Sequence, residues 1–127
     1  MSLLLDTNVL IWALSDPDKL SAEARTRIED ESEIVYFSQV SLLEIQIKCG
    51  IGKLSLDRDT DDLPKIAQQS GFAPLALANE AIFLLGKLPD IHRDPFDRLL
   101  ICESINTSSP LVTPDATIKK YAVKTIW

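Results

Sequence analysis

The chain has 127 residues, 46% of them hydrophobic, with 4 glycines and 7 prolines. That composition excludes a disordered or low-complexity chain and predicts one ordinary domain spanning residues 1–127. The apolar runs fall far short of the ~20 residues that cross a bilayer, and no basic region precedes the short N-terminal apolar stretch, so a cytoplasmic protein with no membrane association is expected.

The net charge of -6 argues against a broadly basic nucleic-acid surface. The average conceals local positive charge. Lys119, Lys120 and Lys124 follow Asp115 with no acid among them, while Arg93 precedes Asp94 and Arg98 follows Asp97. Charge beside a pocket matters more than the total. Cys49 and Cys102 lie in apolar-rich segments and read as buried free thiols. Two cysteines are too few for a usual structural zinc site.

Residues 2–6, with Leu3, Leu4 and Leu5, predict a buried strand that ends in an acid, followed by a helix from Val9 to about Leu14. Asp16-Pro17-Asp18 breaks that helix, and Ser21 caps a second through about Asp30. A strand is expected from Glu33 to Phe37, then a deeply buried helix from about Val40 to Lys48, stopped by Gly50-Ile51-Gly52-Lys53. Further helices are expected over 61–69, 79–88, 96–105 and 114–121. Strands are expected over 72–77, 110–113 and 123–127. This alternation predicts an α/β fold, a mostly parallel central sheet covered on both faces as a three-layer α/β/α sandwich.

Four acids punctuate this pattern: Asp6, Glu44, Asp97 and Asp115. Each has a bland reading. Asp6 can cap its helix or form an Asx turn. Glu44 can close a capping box with Ser41 or pair with Lys48 one turn on. In Asp94-Pro95-Phe96-Asp97 the first acid can cap and the last can be its partner, and Thr113-Pro114-Asp115 repeats the arrangement. Capping explains the acids one at a time but not their common neighbourhood. Asp6, Thr113 and Asp115 fall where strands give way to helices, Asp97 at the start of another helix, and Glu44 can reach the same point from the helix after the second strand. If the first and fourth strands are neighbours, their C-terminal ends bring the acids to one crevice. Carboxylates that close repel unless a cation intervenes. A hard-oxygen donor set with no His, Cys or Met nearby suits Mg²⁺ or Mn²⁺, one ion or two, and such ions activate water against phosphoryl centres.

Other chemistries find little support. No glycine-rich phosphate loop follows the first strand. Gly50-Ile51-Gly52-Lys53 reads as a helix-ending loop, His92 as an exposed or locally bonded loop residue, and Trp12 and Trp127 as core or interface residues.

The residues carry a family likeness over essentially the whole chain. Leu4-Leu5-Asp6-Thr7-Asn8-Val9-Leu10, Ser38-Gln39-Val40-Ser41-Leu42-Leu43-Glu44-Ile45, Gly50-Ile51-Gly52-Lys53-Leu54, His92-Arg93-Asp94-Pro95-Phe96-Asp97-Arg98-Leu99-Leu100 and Pro110-Leu111-Val112-Thr113-Pro114-Asp115 occur in that order. The chain resembles the PIN-domain ribonucleases, and within them the VapC-like toxins of type II toxin–antitoxin systems.

The resemblance implies a PIN-like fold and metal-dependent RNA hydrolysis by activated water, with Asp6, Glu44, Asp97 and Asp115 as the acidic metal site. It places Thr7, Asn8, Asp94 and Thr113 close by, Asp94 as an organiser of its loop. Asn8 departs from the histidine often found there, and Glu103 replaces a small residue of the family helix, where it is expected to disturb packing or an interface. A cognate antitoxin, an RNA substrate and a homodimer follow as implied partners. Arg93, Arg98, Lys119, Lys120 and, more weakly, Lys53 are candidates for contacting the RNA backbone. The competing readings are a catalytically silent PIN-like RNA- or protein-binding module and a metal-dependent phosphatase.

Overall fold

Leu3, Leu4 and Leu5 are fully buried, because β1 (Ser2–Leu5) is the middle strand of a five-stranded sheet. In the computed structural model, which describes residues 1–127, the sheet order is β3-β2-β1-β4-β5. The other strands are β2 (Ile34–Ser38), β3 (Ala73–Leu75), β4 (Leu111–Val112) and β5 (Thr125–Ile126), and every pairing is parallel. Leu4 stands opposite both Tyr36 and Leu111, and Leu5 opposite Val112. The chain order runs outward from β1 to β2 and β3, then returns to place β4 on the other side of β1. The crevice of such a sheet opens at the C-terminal ends of the two strands flanking that reversal.

The period-two alternation of the strands divides the core. Leu3, Leu5, Val35, Phe37, Val112 and Ile126 point to one face, where they meet Val9 and Leu10 of α1 (Thr7–Ser15), Ala24 of α2 (Ala22–Glu29) and Leu63 and Ala67 of α4 (Leu63–Gln69). Leu4 and Leu111 point to the other, against Leu100 and Ile101 of α6 (Pro95–Thr107). Helix α3 (Gln39–Gly50) serves both clusters, with Ile45 in the first and Val40 in the second. Helix α5 (Asn79–Leu84) packs on α6. The result is the three-layer α/β/α sandwich that the alternation of elements predicts. Trp12 and Trp127 pack with ring centroids 5.9 Å apart and tie the C-terminus to α1. Cys49 and Cys102 are free thiols, and no helix is long and apolar enough to cross a membrane.

Differences from the expected elements have local causes. Residues 114–121 do not form an α-helix. Asp115 Oδ1 takes the amides of Thr117 (2.7 Å) and Ile118 (3.3 Å), closing a turn that leaves only one 3-10 turn over Ile118–Lys120. The helix expected to run to residue 88 gives way after Leu84 to a 3-10 turn over Leu85–Lys87. Pro74 is accommodated because β3 is an edge strand. The Gly50–Lys53 segment ends α3, with Lys53 N–H bonded to Lys48 O and Gly52 at φ +75°, so its amides serve the helix end.

Glu103 lies inside the protein, only 1% exposed. The Ser38 hydroxyl donates to its Oε1, while Oε2 has no partner. Burial, opposed by that hydrogen bond, pushes its carboxyl up to about 7. The folded state therefore holds the proton more tightly than the unfolded chain, whose value is near 4.5. The associated stability is present below about pH 4.5 and is lost as pH rises through about 7. Glu103→Gln should remove this loss, gaining up to ~3 kcal/mol relative to wild type between pH 4 and pH 8. Urea denaturation at the two pH values checks it; an identical change in both proteins would contradict a titrating buried acid.

Candidate active site

Asp6 occupies the N-cap of α1 with extended backbone (φ -60°, ψ 154°), yet its side chain makes no cap hydrogen bond. The carboxylate turns instead across the β1–β4 junction, where Thr113 Oγ1 donates to Oδ2 at 2.6 Å. The same Thr113 oxygen accepts the Asp115 amide at 3.1 Å. One hydroxyl thus couples the acid after β1 to the turn after β4.

Glu44 is not the capping-box residue that its spacing from Ser41 suggests. Helix α3 begins earlier, with Ser38 as N-cap accepting Val40 N–H at 2.9 Å. Glu44 therefore lies within the helix and is 4% exposed. Thr7 Oγ1 donates to its Oε1 at 2.6 Å and lies 2.9 Å from Ser41 Oγ. Lys48 Nζ, one turn on, is bonded to the other oxygen. This pair belongs to the pocket and not to an exposed helix face.

Asp94 caps α6, its Oδ1 accepting Phe96 N–H at 2.8 Å and Asp97 N–H at 3.4 Å, and Pro95 takes the first helical position. Asp97 makes no return bond to the cap. Its Oδ2 lies 3.1 Å from His92 Nε2, which is also 3.1 Å from Asp115 Oδ2.

These side chains line one cavity of about 280 Å³, formed by Asp6, Asn8, Glu44, Lys48, Asp94, Asp97, Pro114 and Asp115 and containing no hydrophobic residue. Two larger grooves, about 540 and 440 Å³, lie away from this convergence, so size does not select the site. Its electrostatics do. Asp97 is pushed up to about 7 by burial and then by the charges of Asp6, Asp94 and Glu44, against the pull of His92. Asp6 is also raised, first by burial, with Glu44 and Asp115 adding repulsion and Thr113 opposing it. Burial would raise Asp115 too, but its hydrogen bonds from His92, Thr117 and Ile118 outweigh burial and hold it low. Lys48 is raised chiefly by its bond to Glu44. His92 Nε2 and one oxygen each of Asp97 and Asp115 lie within 4.8 Å of one another, a grouping that could hold a metal ion. The acids supply hard oxygens, and burial together with the repulsion of neighbouring acids, the two causes that displace Asp97, would both be relieved by a divalent cation; the residues fit such an ion.

The structure brings Asp6, Glu44, Asp97 and Asp115 together with Asn8 and Asp94, and sets Thr7 and Thr113 behind them as hydroxyl donors. It also corrects the expectation of a cluster without histidine. His92 is part of it, brought in by a loop held to Tyr121, whose hydroxyl accepts Ile91 N–H (3.0 Å) and His92 N–H (2.6 Å). No sequence spacing links Tyr121 to that loop. Arg98 Nη1 donates to Pro89 O (2.9 Å) and Tyr121 Oη (3.3 Å), so its guanidinium braces the loop. Arg93, Lys53, Lys119 and Lys120 are exposed.

The geometry separates two adjacent acids by experiment. Asp94→Ala should lose about 1 kcal/mol, the cost of an N-cap. In chelated protein, Asp97→Asn should be neutral or stabilising near pH 8, because the folded value near 7 exceeds the ordinary 3.8 and wild type loses stability as pH rises across that interval. Chemical denaturation of both variants checks this, and clear destabilisation by Asp97→Asn would make a cap of that residue instead.

Comparison with known proteins agrees with the fold. The structure resembles VapBC2 from Rickettsia felis bound to a promoter DNA fragment, with a TM-score of 0.72, 16% identity and coverage of 98% of this chain and 97% of that one. It resembles DNA-bound VapBC from Salmonella typhimurium with a TM-score of 0.69, 17% identity and coverage of 98% and 96%. FitAcB from Neisseria gonorrhoeae follows with a TM-score of 0.60, 19% identity and coverage of 98% and 96%. No curated protein matches the chain. The PIN domain model matches residues 3–124, and the chain belongs to the PIN-domain family.

Proposed function

We propose that this chain is a divalent-metal-dependent endoribonuclease and the toxin of a toxin–antitoxin pair. The observation that carries the reading is the convergence of Asp6, Glu44, Asp97 and Asp115 on one polar cavity at the β1–β4 crevice, where burial first and neighbouring acids second push Asp97 to about 7. These four acids would hold one or two Mg²⁺ or Mn²⁺ ions. A bound divalent ion neutralises phosphate charge and lowers the pKa of water, the chemistry that hydrolysis of an RNA phosphodiester requires.

The remaining residues prepare that site. Thr113 and Thr7 fix the Asp6 and Glu44 carboxylates by short hydrogen bonds. Asp94 sets the start of α6 so that Asp97 enters the cavity. Asn8, exposed at the rim, offers its amide to substrate. Lys48 keeps a positive charge against Glu44 where a phosphate oxygen would arrive. Arg93, Lys119, Lys120 and Lys53 remain free to steer the RNA backbone, whereas Arg98 is committed to its loop. A cognate antitoxin would silence the enzyme by inserting an Arg or Lys among the carboxylates. Support for a homodimer comes from the apolar stripe of Leu43 (53% exposed) and Ile47 (42%) on α3, continued by Ile51 (60%).

Purified protein should cleave RNA with Mg²⁺ or Mn²⁺, and Asp6→Asn should abolish nearly all cleavage; equal cutting by that variant would assign the activity elsewhere. Replacing Lys119 and Lys120 together by alanine should weaken RNA binding and reduce its salt slope by about two phosphate contacts. An unchanged slope would place the RNA path on another face. Light scattering at micromolar concentration should give twice the 14.1 kDa chain mass and, for Leu43→Asp, a shift towards the single-chain mass. A 14.1 kDa wild-type particle would reject the dimer.

A further inference from the structure

His92 is the residue for which the resemblance supplied no role. Its side chain is 16% exposed, and its Nε2 stands 3.1 Å from Asp97 Oδ2 and 3.1 Å from Asp115 Oδ2. The other ring nitrogen faces away from the acids, where Nδ1 accepts the backbone N–H of Asp94 at 3.1 Å. A nitrogen that accepts an amide hydrogen carries none of its own. The neutral ring therefore bears its hydrogen on Nε2, directed at the carboxylates.

Turning the ring over would set Cδ2 against the Asp94 amide and Cε1 between the acids, forfeiting both contacts. A metal ligand must present a lone pair, and in this tautomer Nε2 presents a hydrogen. Ligation by Nε2 would require a proton on Nδ1, where the Asp94 amide already points. The closeness of His92 to two acids thus has a second explanation besides a shared ion. A donor set between Asp97, from the start of α6, and Asp115, from the turn after β4, fixes the separation of groups on two different elements.

We propose that His92 is a positioning residue that bridges Asp97 and Asp115 through its Nε2 hydrogen, with its tautomer set by the Asp94 amide, and that it does not ligate the cation. The cation-binding half of this inference rests on the proposed metal-dependent function. The tautomer does not. Asp94 acquires a second role through it, since its carboxylate starts α6 and its own N–H selects which nitrogen of His92 faces the site.

His92 is the only histidine in the chain, so its ring nitrogens can be read without assignment in long-range ¹H–¹⁵N spectra of labelled protein. In metal-free protein, Nδ1 should show the shift of an unprotonated nitrogen and Nε2 that of an N–H. A proton on Nδ1 would overturn the proposal. Added Mg²⁺ should perturb the ring while Nε2 keeps its hydrogen, and conversion of Nε2 to a coordinated nitrogen would also overturn it. No response to Mg²⁺ would count against the metal-dependent function and leave the first spectrum to decide the bridge.

Calorimetry with Mn²⁺ supplies a rescue. His92→Gln keeps an N–H donor within reach of the acids and should hold the Kd close to wild type, whereas His92→Leu should weaken it ~10-fold or more. Equal weakening by both substitutions would point to a ligand, and an unchanged His92→Leu to no role; either result overturns the proposal.

Discussion

Carboxylates gathered around one small polar cavity are the constraint on which this structure turns. Asp6 is attached to the fully buried end of β1, and Asp115 follows β4 across the sheet's reversal, so neither can move away without breaking the central ladder. Hydrogen-bond donors restrain them instead: Thr113 holds Asp6, Thr7 and Lys48 hold Glu44, and two backbone amides hold Asp115 together with His92, which stands equally close to Asp97. Asp97 receives the least of this help and is the acid whose proton affinity rises most clearly. The imbalance is costly for an empty site and favourable for one that takes up a cation.

The same elements serve the fold and the site. Ser38 ends β2, caps α3 and donates to buried Glu103 on α6, so β2, α3 and α6 meet at one side chain a short distance along α3 from Glu44. Expected from the sequence to disturb packing or an interface, Glu103 turns out to be wholly enclosed, with one oxygen bonded and the other not. A helix that carries Asp97 at its start and an unsettled acid in its middle is held by more than apolar packing.

Much of the architecture was legible because it depends on periodicity. The Leu3–Leu5 run, the Ile34–Phe37 strand and the alternation with apolar helices point to a parallel sheet, and Asp6 and Asp115 follow the ends of the two strands that flank its reversal. What escaped depends on side chains that compete with the backbone. Asp115 takes amides that a helix over 114–121 would have used, and Ser38 starts α3 early enough to place Glu44 in its interior. His92, Tyr121 and Arg98 assemble through contacts across 23 to 29 positions in sequence, a separation at which spacing carries no signal. A lone loop histidine has no periodic partner, so only the folded loop reveals its place.

The central claim is that the four carboxylates form one cation site and not four separate helix caps. The most direct measurement is the thermal unfolding of chelated protein with and without Mn²⁺. The account predicts a rise in Tm that follows Mn²⁺ concentration, amounting to about 2.7 kcal/mol at a hundredfold excess over Kd, and that is lost in Asp115→Asn. A wild-type Tm that does not respond to Mn²⁺ would contradict it.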